Sequence, residues 1–202
     1  MAGRGIYVEI DIDASLDAVW DLTQSPEQHP RWDVRFSRIT PTGLTPAGAT
    51  AFTYTRRIPF HTIAGTGVSM GERRRPDGTR TSALRFSTRD RLSPLRDGRG
   101  YWRYEPQPDG RVRFTTGYDY RAGWGLADLV VRPLVGWATA WSFDRLRIWA
   151  ETGTAPERWP LLSVLAWWRP DRPRAARCRR RPRRGRALSQ APPTLDELQE
   201  DG

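Results

Sequence analysis

Lysine is absent from the sequence, so every one of the 33 residues counted as Lys or Arg is Arg. An arginine-only composition is typical of GC-rich codon usage. For this reason we do not interpret the formal net charge of +10 as a sign of nucleic-acid binding. Cysteine occurs once, at Cys178, which excludes an internal disulfide and fits a reducing compartment.

The chain also lacks the patterns of several common functional sites and of membrane insertion. It contains no nucleophile elbow, no phosphate-binding loop and no metal-spaced His/Cys cluster, so we expect neither a metal nor a cofactor. No run approaches the roughly 20 apolar residues of a spanning helix, and the N-terminus has no signal-peptide pattern. We predict a cytoplasmic protein, with peripheral association at the inner membrane face as a second hypothesis.

The positive charge is concentrated near the C-terminus. Residues 169–186 contain ten Arg and one acid, Asp171, whereas the last nine residues contain four acids. These stretches carry charges of +9 and −4, which leaves +5 of the total on residues 1–168. A chain of 202 residues is long enough for one domain with an appendage, and we predict a domain over residues 1–155 and an appendage over residues 156–202.

The N-terminal part predicts one strand followed by two short helices. Apolar and polar side chains alternate over residues 6–12, which is typical of a strand with one buried face and one face that meets water. Ser15 can cap a first helix. Ser25 and Pro26 then have the pattern of a second helix start. We expect His29 to lie on that second helix, which should be exposed, or in the turn that follows the helix.

The rest of the domain predicts a sheet and one long helix. Residues 36–120 form short alternating segments separated by turn formers, which is typical of an antiparallel meander. After Gly125 apolar residues recur at helical spacing to about Glu151, with a bend or restart near Pro133. A helix with so broad an apolar face needs a large apolar partner, which the preceding sheet can supply. This face comprises Leu126, Leu129, Val130, Leu134, Trp137, Ala138, Trp141, Leu146, Ile148 and Trp149.

Two stretches of the sequence are typical of a known fold. The first is "VEIDIDASLDAVWDLTQSPEQHPRW", which carries Trp20 and Trp32, and the second is "GWATAWSFDRLRIWAE" in the long helix. They resemble the START-like, or SRPBCC, superfamily of polyketide cyclases and lipid-transfer domains, over about residues 5–153. The resemblance implies an α+β helix-grip fold, in which a curved antiparallel sheet of about six to seven strands surrounds a long C-terminal helix, with two short helices after strand 1. It specifies a packing scheme and no catalytic set.

The resemblance also implies a deep, mostly apolar cavity between the sheet and the long helix that holds a lipid, a polyketide or another hydrophobic molecule. The residue pattern independently supplies candidates for the ligand-binding walls of such a cavity. They are Phe52, Tyr54, Phe86, Trp102, Tyr104, Phe114, Tyr118 and Tyr120 on strands, and Trp137 and Trp141 on the helix. The alternative for each side chain is simple core filling, because aromatic residues at regular spacing usually pack.

We predict from these patterns a protein that binds or carries a small hydrophobic molecule. The alternative is a polyketide cyclase or aromatase that acts by positioning its substrate in the cavity, with the hydroxyls of Tyr118 and Tyr120 as candidate contacts. No catalytic residue can be transferred by motif, so enzyme activity stays open. His61, at a strand start, is either an ordinary surface or turn residue or a group at the cavity mouth; alone it lacks the partners of a general base.

The predicted appendage combines an apolar part with a basic part. Its apolar part, the ten residues from Trp159 to Trp168, is too short to span a bilayer but can lie in an interface or pack on the domain. We predict that the Pro- and Arg-rich part after them is disordered, with Cys178 exposed. The part from Trp159 to Arg186 is a candidate anchor for an anionic membrane surface, nucleic acid is a weaker candidate, and a solvated tail without a partner is the third hypothesis. The acidic terminus could fold back on the Arg run, which would weaken both kinds of binding.

Overall fold

Seven antiparallel strands form one curved sheet in the computed structural model, which describes residues 5–46, 48–183, 185, 187, 188 and 191. The strands are β1 (Ile6–Ile12), β2 (Arg38–Leu44), β3 (Thr50–Ile58), β4 (His61–Arg74), β5 (Arg80–Ser87), β6 (Leu95–Pro106) and β7 (Val112–Ala122). The helices are α1 (Leu16–Gln24), α2 (His29–Trp32) and α3 (Asp128–Thr152), and a 3₁₀ turn at Gly125–Ala127 precedes α3. Their order confirms the predicted helix-grip fold.

The sheet order is β1-β7-β6-β5-β4-β3-β2. Strands β2 to β7 therefore form a meander, and β1 joins its far end by pairing antiparallel to β7, with Ile6 opposite Tyr118. The two short helices connect β1 to β2 across the full width of the sheet, as the predicted order requires. The long helix α3 follows directly from β7 and lies against β1.

Local signals in the sequence explain where the helices begin and end. The Ser15 hydroxyl caps α1 by accepting a hydrogen bond from the Ala18 amide at 3.2 Å. Helix α3 ends at Gly153, whose φ of 69° lies in the left-handed region that glycine adopts without steric cost. Helix α3 continues through Pro133, so the predicted restart there is wrong. Pro133 is exposed and near the N-terminus of the helix, where water can solvate the carbonyl group that it leaves without a bond.

The C-terminal half of α3 packs on the sheet through a cluster of aromatic rings. Phe143 of α3 stacks on Phe114 of β7, with 4.5 Å between ring centroids and 20° between planes. Trp32 meets both rings edge-on and donates its indole N–H to the Leu22 carbonyl at 2.9 Å. All three aromatic side chains are fully buried, so this cluster closes one end of the space between the helix and the sheet.

The N-terminal half of α3 departs from the prediction. Leu126 and Leu134, which were expected to face the sheet, are 88 % and 58 % exposed, and Leu129 and Val130 are exposed as well. The helical period is correct, but these first turns lie beyond the aromatic cluster, and among them Val135 and Ala138 line the space next to the sheet. The burial of α3 therefore begins at Thr139.

The C-terminal segment, residues 156–183, packs on the side of α3 that faces away from the sheet. The buried carboxylate of Asp144 accepts hydrogen bonds from the Arg174 amide at 2.7 Å and from the Arg177 guanidinium at 2.9 Å. The prediction of disorder is thus wrong for the Arg-rich residues up to Arg183, because Asp144 and backbone carbonyls bind arginines that the composition suggested would be solvated. The acidic terminus, which was expected to be able to fold back on the Arg run, lies outside the described residues. The predicted domain boundary at residue 155 stays a prediction.

The same segment pairs with the free edge of β1, and its arginines reach Glu9 on the face of that strand that was expected to meet water. Glu9 and Arg179 exchange two backbone hydrogen bonds of 2.9 Å, and the Tyr7 hydroxyl donates to the Glu9 carboxylate at 2.5 Å. Both Tyr7 and Glu9 are buried as a result. A Cβ atom on Gly117 of β7 would collide with the carbonyl oxygen of Ala187, so glycine is required where the chain crosses the sheet.

Cys178 is buried by this packing, so its predicted exposure is wrong. Its thiol lies 3.1 Å from the Ala140 carbonyl of α3. Burial raises the pKa of the Cys178 thiol, and the neighbouring Asp144 carboxylate raises it further. The thiolate is disfavoured despite the surrounding arginines, so Cys178 acts as a packing residue.

We expect the substitution Asp144→Ala to destabilise the protein by about 3 kcal/mol, because it leaves Arg177 and the Arg174 amide without their buried partner. Urea unfolding followed by tryptophan fluorescence measures this change. The matched control is Asp171→Ala, which removes an ion pair to Arg169 that is exposed at both ends and should leave the midpoint unchanged. If the urea midpoint of Asp144→Ala equals that of Asp171→Ala, the contacts between Asp144 and the C-terminal segment do not stabilise the domain.

Candidate ligand-binding cavity

A cavity of about 600 Å³ lies between the sheet and the helices. This volume is in the range of roughly 300–1,000 Å³ that is usual for small-molecule sites. Strands β2 to β7 supply most of the lining, and Val135 and Ala138 of α3 close it from the other side. Its main apolar side chains are Phe36, Ile39, Phe52, Tyr54, Ile58, Ile63, Leu84, Phe86, Leu95, Trp102, Tyr118, Val135 and Ala138.

The structure brings five of the ten predicted wall residues to this cavity. The lining includes Phe52, Tyr54, Phe86, Trp102 and Tyr118. All five lie on strands, where the period of two places alternate side chains on the concave face. Whether they contact a ligand stays a prediction.

The other five predicted wall residues lie elsewhere. Tyr104 and Phe114 belong to the packed end: the Tyr104 hydroxyl is 2.6 Å from the Thr23 hydroxyl, and its ring stacks on Phe114. Trp137 and Trp141 pack into the core from α3 without reaching the cavity. Tyr120 donates its hydroxyl to the Asp128 carboxylate at 2.8 Å, near the start of α3. Periodicity identifies the concave face but does not tell which part of that face is filled.

The hydroxyl of Tyr118 is already engaged within the protein. It lies 2.7 Å from the Thr139 hydroxyl, which itself donates to the Val135 carbonyl at 2.8 Å. Since Thr139 has one hydroxyl proton, Tyr118 is the donor in this pair. Together with the Tyr120 hydroxyl bound to Asp128, this leaves neither tyrosine with a free proton aimed into the cavity.

A buried polar cluster at the cavity wall was missed by the sequence interpretation. His29 is buried, so its predicted exposure is wrong: its ring stacks on Trp32 at 4.8 Å and contacts Trp102 at 4.7 Å. Asp33 lies 3.1 Å from His29 Nε2 and accepts two hydrogen bonds from Arg35, at 2.9 and 2.6 Å. The short helix α2 turns His29 inward because Trp32, on the same side, anchors in the core.

The electrostatics of this cluster follow from burial and from the ion pair. Burial lowers the pKa of His29, although the Asp33 carboxylate opposes this shift. Burial alone would raise the pKa of Asp33, but the charge of Arg35 and the hydrogen bonds from His29 and Arg35 outweigh it and lower that pKa. The cluster therefore holds an ionised Asp33–Arg35 pair and a neutral His29 at neutral pH.

Arg56 of β3 is a second charged residue in the lining that was missed. It follows Phe52 and Tyr54 at the same period of two, so the alternation that predicted those two residues also places Arg56 on the concave face. The sequence therefore contained a signal for Arg56, which a search restricted to aromatic residues does not detect. In contrast, nothing in the local pattern places Asp33 and Arg35 beside the cavity, since they lie in an irregular connection.

His61 begins β4, and its Nε2 lies 2.7 Å from the Asp90 carboxylate. It is partly exposed and is not among the cavity-lining residues, so it is a surface and turn residue. Two residues of the cavity lining, Leu92 and Trp124, are 50 % and 47 % exposed. In the part of the chain that the structure describes, no three His, Cys, Asp or Glu side chains are grouped as metal ligands.

Comparison with known proteins agrees with this geometry. Residues 4–151 match the family model described as polyketide cyclase/dehydrase and lipid transport. The chain is 41 % identical over 171 residues to the "Uncharacterized membrane protein YndG" of Bacillus subtilis, which covers 82 % of this chain and 64 % of that protein. The chain thus spans slightly less than two thirds of this curated relative.

Two solved structures have the same fold at low sequence identity. The human StAR-related lipid transfer protein 5 superposes with a TM-score of 0.52 at 14 % identity, over 73 % of this chain and 84 % of that one. The di-domain ARO/CYC StfQ from the steffimycin biosynthetic pathway superposes with a TM-score of 0.51 at 17 % identity, over 73 % of this chain and 44 % of that one.

In the described ranges, no helix has both the length and the apolar character needed to cross a bilayer.

We expect acidification to destabilise the protein in part through His29. Because its folded pKa lies below the usual 6.5, the unfolded state binds the proton first, so this stabilisation is present above pH 6.5 and is lost as the pH falls below it. The substitution His29→Gln should reduce the slope of unfolding free energy between pH 6.5 and 5 by up to about 1.4 kcal/mol per pH unit. As an internal control, the unmodified protein and the His29→Gln variant should have the same slope of unfolding free energy between pH 7.5 and 8.5. Equal slopes at acidic pH would mean that His29 is not buried in its neutral form.

Proposed function

Because the chain belongs to the polyketide cyclase/dehydrase and lipid transport family, we propose that it binds and carries a small hydrophobic molecule in the cavity between the sheet and α3. The observation that supports this function best is the unfilled, mostly apolar space of about 600 Å³ beside an otherwise close-packed core. Core filling usually leaves few voids larger than a water molecule, so a space of this size favours a bound ligand.

The alternative is a polyketide cyclase or aromatase activity by cavity positioning. The family description and the name of StfQ support it. Against it, the hydroxyls of Tyr118 and Tyr120 are bonded within the protein, and His29 is stacked on Trp32 and lies within hydrogen-bond distance of Asp33. A carrier needs only the apolar walls, and this makes carriage the better supported function. A ligand recovered chemically unchanged favours carriage over catalysis.

Association with a membrane surface is a second candidate function, and it is compatible with carriage. Exposed apolar side chains lie in the C-terminal segment, where Trp167 and Trp168 are 73 % and 66 % exposed and adjoin Arg169. Tryptophan beside arginine is typical of residues that bind at a lipid interface. The name of the B. subtilis relative also favours a membrane location. We propose peripheral binding to an anionic membrane surface through these residues.

We expect Ala138→Trp to abolish the recovery of a co-purifying hydrophobic compound, because the new indole occupies the cavity that Ala138 lines. Mass spectrometry of an organic extract measures the amount of compound per protein. The matched variant is Trp137→Ala at the preceding residue of α3; Trp137 packs into the core and is not part of the cavity lining, so this variant should retain the compound. If both variants and the unmodified protein carry equal amounts, the compound is bound elsewhere, and the proposed function fails.

For the membrane proposal, we expect Trp167→Ser combined with Trp168→Ser to reduce flotation with vesicles of phosphatidylcholine and phosphatidylglycerol at least about tenfold, since two exposed indoles are lost. The control is Leu44→Ser, which removes an apolar side chain that is 72 % exposed on the edge strand β2. Undiminished flotation of the double variant would reject these residues as the membrane contact.

A further inference from the structure

A surface groove adjoins the cavity on the side of β2 and α2. It has a volume of about 600 Å³ and shares five lining residues with the cavity, namely Pro26, Phe36, Ile39, Pro41 and Arg56. The shared residues form the border between the two spaces, so one elongated molecule can occupy both. The groove is the more open of the two, and four arginines contribute to its lining, whereas arginine contributes little to the cavity.

Three of these arginines, Arg38, Arg56 and Arg145, form no ion pair with the residues that the structure describes; Arg38 is exposed to solvent, whereas the other two are at least partly buried. Arg56 is half-buried, and its side chain makes no hydrogen bond or ion pair with the residues that the structure describes. Arg145 of α3 is buried; its Nε donates to the Pro156 carbonyl at 2.8 Å, and its guanidinium forms no ion pair within the described ranges. Both side chains nevertheless line the groove. A buried guanidinium usually pairs with a carboxylate, because desolvation of an unpaired charge is costly.

The nearby carboxylates are hydrogen-bonded to other groups, although the charges of Glu157 and Asp33 still act on Arg145 and that of Asp33 on Arg56. Glu157 is bound by Arg31 at 2.7 Å, and Glu27 accepts a hydrogen bond from the Ser25 hydroxyl at 2.8 Å. Burial lowers the pKa of Arg145 to about 10, so it remains charged at neutral pH. Burial lowers the pKa of Arg56 as well. The groove therefore presents two partly desolvated cations next to an apolar cavity.

We propose that Arg56 and Arg145 bind the anionic head group, a carboxylate or a phosphate, of an amphipathic ligand whose apolar chain occupies the cavity. This inference rests on the proposed function, since the chain must be held in the cavity. Guanidinium groups donate paired hydrogen bonds to both kinds of oxyanion, and such bonds are strong in a partly dry site. The Asp33–Arg35 pair nearby is already neutralised, so head-group binding falls to Arg56 and Arg145.

The test compares probes that share one apolar chain and differ in their head group. Calorimetric titration of delipidated protein with dodecanoate, dodecyl phosphate and dodecanol measures the contribution of the charge, and inorganic phosphate tests for a free anion. We expect at least about tenfold tighter binding of the two anionic probes than of dodecanol. Arg56→Gln and Arg145→Gln should each remove most of this difference. Arg56→Lys should restore part of it, which shows that loss is not caused by misfolding.

The control variant is Arg57→Gln, which changes the neighbouring residue of β3 on the opposite, exposed face and should leave the difference intact. Equal affinity for dodecanol and the anionic probes would overturn the head-group inference and leave the proposed function standing. Failure of all three chain-bearing probes to bind would overturn both. If inorganic phosphate binds in an Arg56-dependent manner while the amphipathic probes do not, the groove is a site for a free anion and the assignment to an amphipathic ligand is wrong.

Discussion

The stacking of Phe143 on Phe114 is the contact on which the rest of the molecule depends. With Trp32, these rings fill the space between the sheet and the C-terminal half of α3, because close-packed aromatic side chains leave no room for a ligand. The cavity lies beside the N-terminal half of α3, where Val135 and Ala138 line it. One helix thus serves as a core element at one end and as a cavity wall at the other.

The charges around the cavity fall into two groups with different energetic consequences. Asp33, Arg35 and His29 satisfy one another, so they can be buried at the wall without a ligand. Arg56 and Arg145, although partly or fully buried, form no ion pair with the residues that the structure describes; Arg145 donates to a backbone carbonyl and lies over the Trp141 ring. Structures usually retain an uncompensated buried charge only where it has a use, since burial without a partner lowers stability. This contrast separates residues that hold the wall together from residues available for binding.

The C-terminal segment gives α3 a second partner and explains why the helix is apolar over so much of its circumference. A helix buried on both sides cannot have the single apolar stripe of a surface helix. Asp144 is the central contact, since it joins the helix to Arg174 and Arg177. The Arg-rich composition of this segment therefore reflects a specific network, in which guanidinium groups reach backbone carbonyls as well as carboxylates.

The amino-acid sequence by itself determined the elements and their order: the alternation in β1, the cap at Ser15, the strand meander and the glycine that ends α3. It also placed Phe52, Tyr54 and Tyr118 on the concave face, because a period of two is a local property of the backbone. Local period does not reveal which stretch of that face is filled, so Tyr104 and Phe114 were predicted as walls and are core. Only the tertiary structure decided the burial of His29, the packing of the Arg-rich segment on α3, and the position of Arg56 and Arg145 without an ion pair among the described residues. Each of these depends on contacts between residues far apart in the chain.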